Sequence, residues 1–188
     1  IEHRLSDFRY RNARKIADCY CACGDYTKAE EILLQNISSD GEIKVRYEAY
    51  LVGALANLYT FSKKGADEVL KRYLQVMEYC SRKGIISWVA HANLGIANMN
   101  YALGNINEAK IFLERCQKFY KDKGHTWGQI MSDALATACD CKSKGKSLLK
   151  KDFKRVLKMA HDMNYGSCEQ SIKEFIKGET DCLKLYFL

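Results

Sequence analysis

Residues 16–33, IADCYCACGDYTKAEEIL, and residues 96–113, IANMNYALGNINEAKIFL, share Ile, Ala, Ala, Gly, Ala and Leu at the same six places, 80 residues apart. Small residues at fixed places let two helix backbones approach closely. Ala17 and Ala29 suit that role in the first copy, Ala97 and Ala109 in the second. Gly24 and Gly104 fall where a helix should end, and a helix C-terminus favours a left-handed residue there. Leu33 and Leu113 then fill the next layer. The residues in the gaps differ, as expected if one set packs helices together and the other faces outward.

Two weaker copies occupy the register between and after these. ALANLYTFSKKGADEVLKRYL places Ala66 at the position of Ala29, and LLKKDFKRVLKMA places Leu149 there. The anchors Ala29, Ala66, Ala109 and Leu149 are spaced 37, 43 and 40 residues, and Arg72, Arg115 and Arg155 each follow an anchor by six. This resembles the tetratricopeptide repeat, a helix–turn–helix unit, although the period exceeds the usual ~34 residues. The fold expected is all-α: a right-handed superhelix of about four tetratricopeptide-like helix pairs with C-terminal capping helices. One domain covers residues 1–188, with 166–188 as a cap or dimerisation segment.

Composition agrees with helices. The 188 residues include no proline and 12 glycines, and 47% are hydrophobic. That supports a core and leaves little of the turn chemistry that sheets require. Hydrophobic periodicity places helices over 6–23, 26–37, 44–61, 64–82, 87–103, 106–122, 127–143, 147–163, 168–177 and 181–187. GEIKVRY alternates like a strand but runs into EAYLVGALANLY and is read as helix. Ser167 with Gln170 forms a capping-box pattern for the ninth helix, which Gly178 ends. The chain begins at Ile1 rather than methionine and is expected to be part of a longer protein.

Several chemistries find little support. No histidine among His3, His91, His125 and His161 lies in a metal or nucleophile motif, and no phosphate-cradling glycine loop is present. Nine cysteines, an odd number without a secretory signal, are expected to be reduced and buried in a cytoplasmic protein. CYCAC puts Cys19 and Cys23 on one helix face and Cys21 on another, without zinc spacing. No enzyme, cofactor or metal is expected, and no apolar run approaches the ~20 residues of a membrane span. The net charge of +7 and the eight basic residues from Lys142 to Lys158 read as a solvated lysine-rich helix face, since Phe153 is the one aromatic among them and base stacking needs several. CLKLYFL ends the chain; Leu183, Leu185, Tyr186, Phe187 and Leu188 either cap the last repeat or pair with a second copy.

The first helix of each pair should line a concave groove, where repeat arrays commonly hold a peptide. The register assigns to it Arg11, Arg14, Asp18 and Cys21, then Glu48, Leu51 and Tyr59, then His91, Leu94, Asn98 and Tyr101. Arg11, Arg14, Asp18, Tyr59, His91, Asn98 and Tyr101 are the candidate peptide contacts.

YRNARKI before DYTKAEEIL, NISSDGEIKVRYEAYL as a serine/aspartate hinge, YTFSKKGADEVLKRYL and the ending FIKGETDCLKLYFL together resemble the receptor half of the arbitrium receptors of phages (AimR). The resemblance implies a homodimeric cytoplasmic regulator of lysis and lysogeny. An N-terminal helix-turn-helix, outside this chain, would bind DNA under control of a short quorum-sensing peptide. Family ligand contacts are largely asparagine and arginine side chains. Asn98 matches such a place, Asn57 falls one step off the face, and Asp18 stands where an amide is expected. Two other classes compete: a sensor arm of a larger signalling NTPase, and an adaptor that scaffolds protein partners.

Overall fold

The computed structural model describes residues 2–39 and 42–185, with the side chains of the first helix from Phe8 onward. Among these residues there are nine α-helices and no strand: α1 (Glu2–Ala22), α2 (Tyr26–Leu34), α3 (Arg46–Phe61), α4 (Ala66–Arg82), α5 (Ile86–Leu103), α6 (Ile106–Asp122), α7 (Thr126–Ser143), α8 (Lys154–Asp162) and α9 (Gly166–Ile176).

What divides the helices is a repeated backbone device. Gly24, Lys63, Gly84, Gly104, Gly124, Gly145, Asn164 and Gly178 all have positive φ, between 56° and 84°. From Lys63 to Asn164 they recur every 19 to 21 residues. At each one, the next residue donates its N–H to the carbonyl five places back: Asp25 to Tyr20, Lys64 to Tyr59, Ile85 to Cys80, Asn105 to Asn100, His125 to Tyr120, Lys146 to Cys141, Tyr165 to Ala160 and Glu179 to Glu174. That bond satisfies a carbonyl orphaned at the helix end and turns the chain. Glycine adopts the conformation without strain at six of these places, and asparagine, at Asn164, is the next most common residue there; Lys63 shows that the turn geometry outranks residue preference.

The small-residue frame occupies the fourth position of alternate helices. The N–H groups of Ala29 and Ala109 bond to the carbonyls of Asp25 and Asn105, and both side chains are fully buried. In α4 that position belongs to Val69, bonded to Gly65 and buried. Ala66 instead begins the helix, half-buried. The corrected anchors Ala29, Val69 and Ala109 are 40 residues apart at each step. Leu149 is likewise not an anchor: it is 47% exposed and outside any helix. Leu157 takes the equivalent bond, to Phe153. With two anchors moved, the recurring arginines lose their common place; Arg72 pairs with Glu68 along its own helix, whereas Arg155 reaches Asp133 of α7.

Two compact units divide between Trp88 and Val89, within α5. In the first, α1 packs on α2, both pack on α3, and α3 packs on α4. In the second, α6 packs on α7, α7 on α8 and α9, and α8 on α9. Tyr73 in the first unit, and Tyr120, Phe153, Ile130 and Met131 in the second, are fully enclosed. Each large apolar side chain buried in this way contributes roughly 1.5–3 kcal/mol.

Three helix expectations change. Residues 146–149 are irregular and 150–153 are turns, held by i→i+3 bonds such as Asp152 to Leu149 and Phe153 to Lys150. Gly145 stops α7 there, closely spaced lysines repel, and only Phe153 is fully buried. The basic stretch is therefore mostly an exposed connection, not a helix face. Residues 181–185 are also not helical; the rest of the expected tenth helix lies outside the described residues. Finally, α3 starts at Arg46 after an extended Val45 (φ −133°), two residues later than expected. Ser167 lies inside the first turn of α9; Tyr165 is its N-cap, without a side-chain bond. Among the described residues no helix is long and apolar enough to cross a membrane.

Candidate functional site

Helix spacing builds a basic–aromatic face in the first unit. Arg11 and Arg14 lie one turn apart on α1, and Tyr47 and Tyr50 lie one turn apart on α3. The Arg11 guanidinium sits 5.4 Å from the Tyr47 ring and donates to its hydroxyl at 3.0 Å. Arg14 sits 5.1 Å from the Tyr50 ring. Tyr50 meets Trp88 at 5.2 Å between ring centroids, and Arg46 reaches over Trp88 at 6.0 Å. Cations over ring faces are favourable. The sequence register found the two α1 arginines but not Arg46, Tyr47, Tyr50 or Trp88. Their signal was present: the aromatics recur at helical spacing opposite the arginines.

Other residues of the expected groove hold the protein together. Arg14 is buried, and its Nε lies 2.8–2.9 Å from both Asp18 carboxylate oxygens. Asp18 thus stands where the register expected an amide because it neutralises an enclosed guanidinium. Glu48 is buried and accepts the N–H groups of Ser38 and Lys44, tying the two ends of the α2–α3 loop. Tyr59 donates to Glu30 at 2.8 Å, and Glu30 also binds Lys64. Burial, and then the Glu30 carboxylate, push the Tyr59 hydroxyl far above its ordinary range. Asn57 accepts from the Tyr73 hydroxyl. Leu51 and Leu94 are fully buried, and Cys21 nearly so.

In the second unit, Asn98 is 1% exposed. Its Nδ2 donates to the Leu183 carbonyl at 2.8 Å, and its Oδ1 accepts the Leu183 N–H at 3.0 Å. The N–H and C=O of one residue point the same way when the backbone is extended, as between antiparallel strands. One side chain therefore grips an extended segment as a neighbouring strand would. The Ser171 hydroxyl of α9 accepts the Lys184 N–H at 2.8 Å, and Lys184 Nζ meets Glu174 at 2.8 Å. Leu183 and Leu185, read as capping or dimer residues, are buried within their own chain at 0% and 1% exposure. Tyr186, Phe187 and Leu188 lie outside the described residues. Nearby, Tyr101 packs edge-on against Phe175 at 5.4 Å and under Lys142 at 4.7 Å. Burial pushes its hydroxyl up to about 12.

His91 belongs to a cluster of rings. Its Nδ1 lies 2.8 Å from the Tyr120 hydroxyl, with the His125 and Trp127 rings edge-on at 5.2 and 5.4 Å. Burial first, and then His125, hold the His91 imidazole down at about 3. It stays neutral near pH 7. His125 Nδ1 accepts the Gly128 N–H at 3.1 Å and caps α7. Burial also raises the Cys80, Cys139 and Cys168 thiols to about 11 and Cys116 to about 12, which suppresses the nucleophilic thiolate. Among the described residues no disulfide joins the cysteines; Cys19 and Cys23 are exposed and Cys21 is buried between them. Among the described residues no group of three or more His, Cys, Asp or Glu is placed to share a metal ion. A cleft of about 360 Å³ opens beside the α2–α3 loop, lined by Leu34, Ser38, Lys71, Arg72 and Gln75. Of the seven candidate contacts, Arg11 is exposed and Asp18 and His91 are partly exposed; Arg14, Tyr59, Asn98 and Tyr101 are buried.

No protein-family model, curated protein or solved structure matches the chain.

Proposed function

We propose that this chain is a peptide-binding domain built of tetratricopeptide-like helix pairs in a superhelix. In the cell it would be the receptor part of a peptide-sensing, arbitrium-like transcriptional regulator, with DNA bound by a domain outside this chain. The observation that carries this reading is the Asn98 carboxamide paired with both main-chain groups of Leu183. A carboxamide used in this way recognises an extended backbone and tolerates varied side chains. Two features add support. The helices turn at a period of about 20 residues, so pairs repeat every 40. The first unit displays arginines over aromatic rings, and Arg11 is exposed and suited to a peptide carboxylate.

Isothermal calorimetry on the full chain tests this, with the short peptide encoded beside the gene as ligand. The expected result is a single saturable site. Asn98→Ala should weaken it roughly 10- to 100-fold, as expected for losing paired hydrogen bonds buried by the ligand. No heat from the peptide, or affinity unchanged in the folded variant, would sink the reading.

A further inference from the structure

Residues 180–185 leave α9 at the left-handed Gly178 and return to α5 without forming a helix. Three features define how they are held. Asn98 takes both main-chain groups of Leu183, and Ser171 takes the N–H of Lys184. Glu174 takes the Lys184 ammonium at 2.8 Å. Cys182, Leu183 and Leu185 are buried, and Lys184 between the two leucines is partly exposed.

The receiving side is equally informative. Asn98 and Ser171 are polar side chains in helix interiors, 1% and 2% exposed. Burying such groups without a partner costs free energy. Here the partner is the main chain of a segment 85 residues from Asn98. None of these polar contacts requires the segment to belong to the same chain, because they read backbone and one positive charge.

We propose that Asn98, Ser171 and Glu174 form a binding seat for an extended peptide with two aliphatic residues flanking a lysine or arginine. Residues 182–185 are its resident occupant, which an incoming peptide of that pattern displaces. This rests on the peptide-binding function proposed above and narrows its ligand class. A tethered occupant acts at an effective concentration on the order of millimolar. A free peptide with the same contacts competes poorly, and a true ligand must add contacts beyond the triplet. The tail thus sets a threshold for response, since apparent affinity falls by the fraction of molecules with an open seat.

The test uses the full chain and a labelled synthetic peptide of residues 180–185 carrying Cys182→Ser. The parent should bind it weakly. The Leu183→Gly/Leu185→Gly variant, with its own tail loosened, should bind at least about 10-fold more tightly, and adding Asn98→Ala should abolish the gain. Replacing the peptide's lysine by glutamate should also abolish it. Equal binding by parent and loosened variant overturns the proposal. Hydrogen exchange on the parent gives a second measurement that needs no variant. The Leu183 and Lys184 amides should exchange at least about 10-fold faster than those of Ala97 and Asn98, through local opening. Exchange of both sets only through global unfolding would mean a fixed cap and would overturn it too. A neighbouring-gene peptide that binds parent and loosened variant equally keeps the receptor function and removes this inference. Binding of the tail peptide alone, with no response to the encoded peptide, does the reverse.

Discussion

The Asn98 side chain and the Leu183 main chain face each other through two hydrogen bonds, 2.8 Å from Nδ2 to the carbonyl and 3.0 Å from the N–H to Oδ1. Leu183 is fully buried, so both of its polar groups depend on this one side chain. Asn98→Ala should cost about 1–3 kcal/mol in urea unfolding, the range for orphaning buried polar groups. The loss is capped by the free energy of releasing the tail, because freed groups then reach water. A change below about 0.5 kcal/mol, within the range of ordinary surface substitutions, would show that the tail is not held there.

Gly128 accounts for a second tight contact. A Cβ at this position would come within 2.3 Å of the Tyr120 ring. Tyr120 is fully buried and bonded to His91, so the ring has little room to yield. Gly128→Ala gains helix propensity of up to about 1 kcal/mol but should still lower stability by roughly 1–3 kcal/mol, the usual cost of overpacking. Thermal denaturation checks the sign; a variant as stable as the parent would mean that the ring moves freely.

The repeat register has its own test. Ala109 is fully buried at the fourth position of α6, and Leu149 is half exposed outside any helix. Ala109→Leu should destabilise by about 1–3 kcal/mol, and Leu149→Asp should stay within about 0.5 kcal/mol. Matched unfolding curves for the pair decide between this register and one that also anchors at Leu149, in which both substitutions would be costly.

His91 should make stability depend on pH. Its imidazole is held near 3 in the folded protein against an ordinary 6.5. Between these values the unfolded chain takes up a proton that the folded chain refuses. Stability is therefore fully present above about pH 6.5 and falls as pH drops toward 3. The loss from pH 7 to pH 5 should be about 2 kcal/mol from this residue. His91→Phe removes the titrating group, so its stability should vary less across that interval. Identical slopes for parent and variant would mean that the His91 imidazole titrates in the folded protein as it does in the unfolded chain.

Much of the helical framework could be read in advance because its causes are local. Apolar spacing and the Gly24 and Gly104 turns act through bonds that close within a few residues, and the small residues Ala17, Ala29, Ala97 and Ala109 recur with the same helix-pair period. They predicted helix type almost everywhere and several boundaries closely, as in Ile106–Asp122. Where local signals were ambiguous, tertiary packing decided. LLKKDF has an amphipathic helix pattern, yet Gly145 stops α7 and the chain spends Phe153, not Leu149, on the core. CLKL reads equally well as the start of a helix, but Asn98 and Ser171 supply the hydrogen bonds that a helix would have made internally. Arg14, Glu48 and Tyr59 share the groove register with Arg11; only the fold shows them spent on Asp18, the α2–α3 loop and Glu30. A sequence specifies which groups must find partners. Which partner each one finds depends on surfaces brought together across tens of residues, as with Asn98 and Leu183, and that information exists only once the chain has folded.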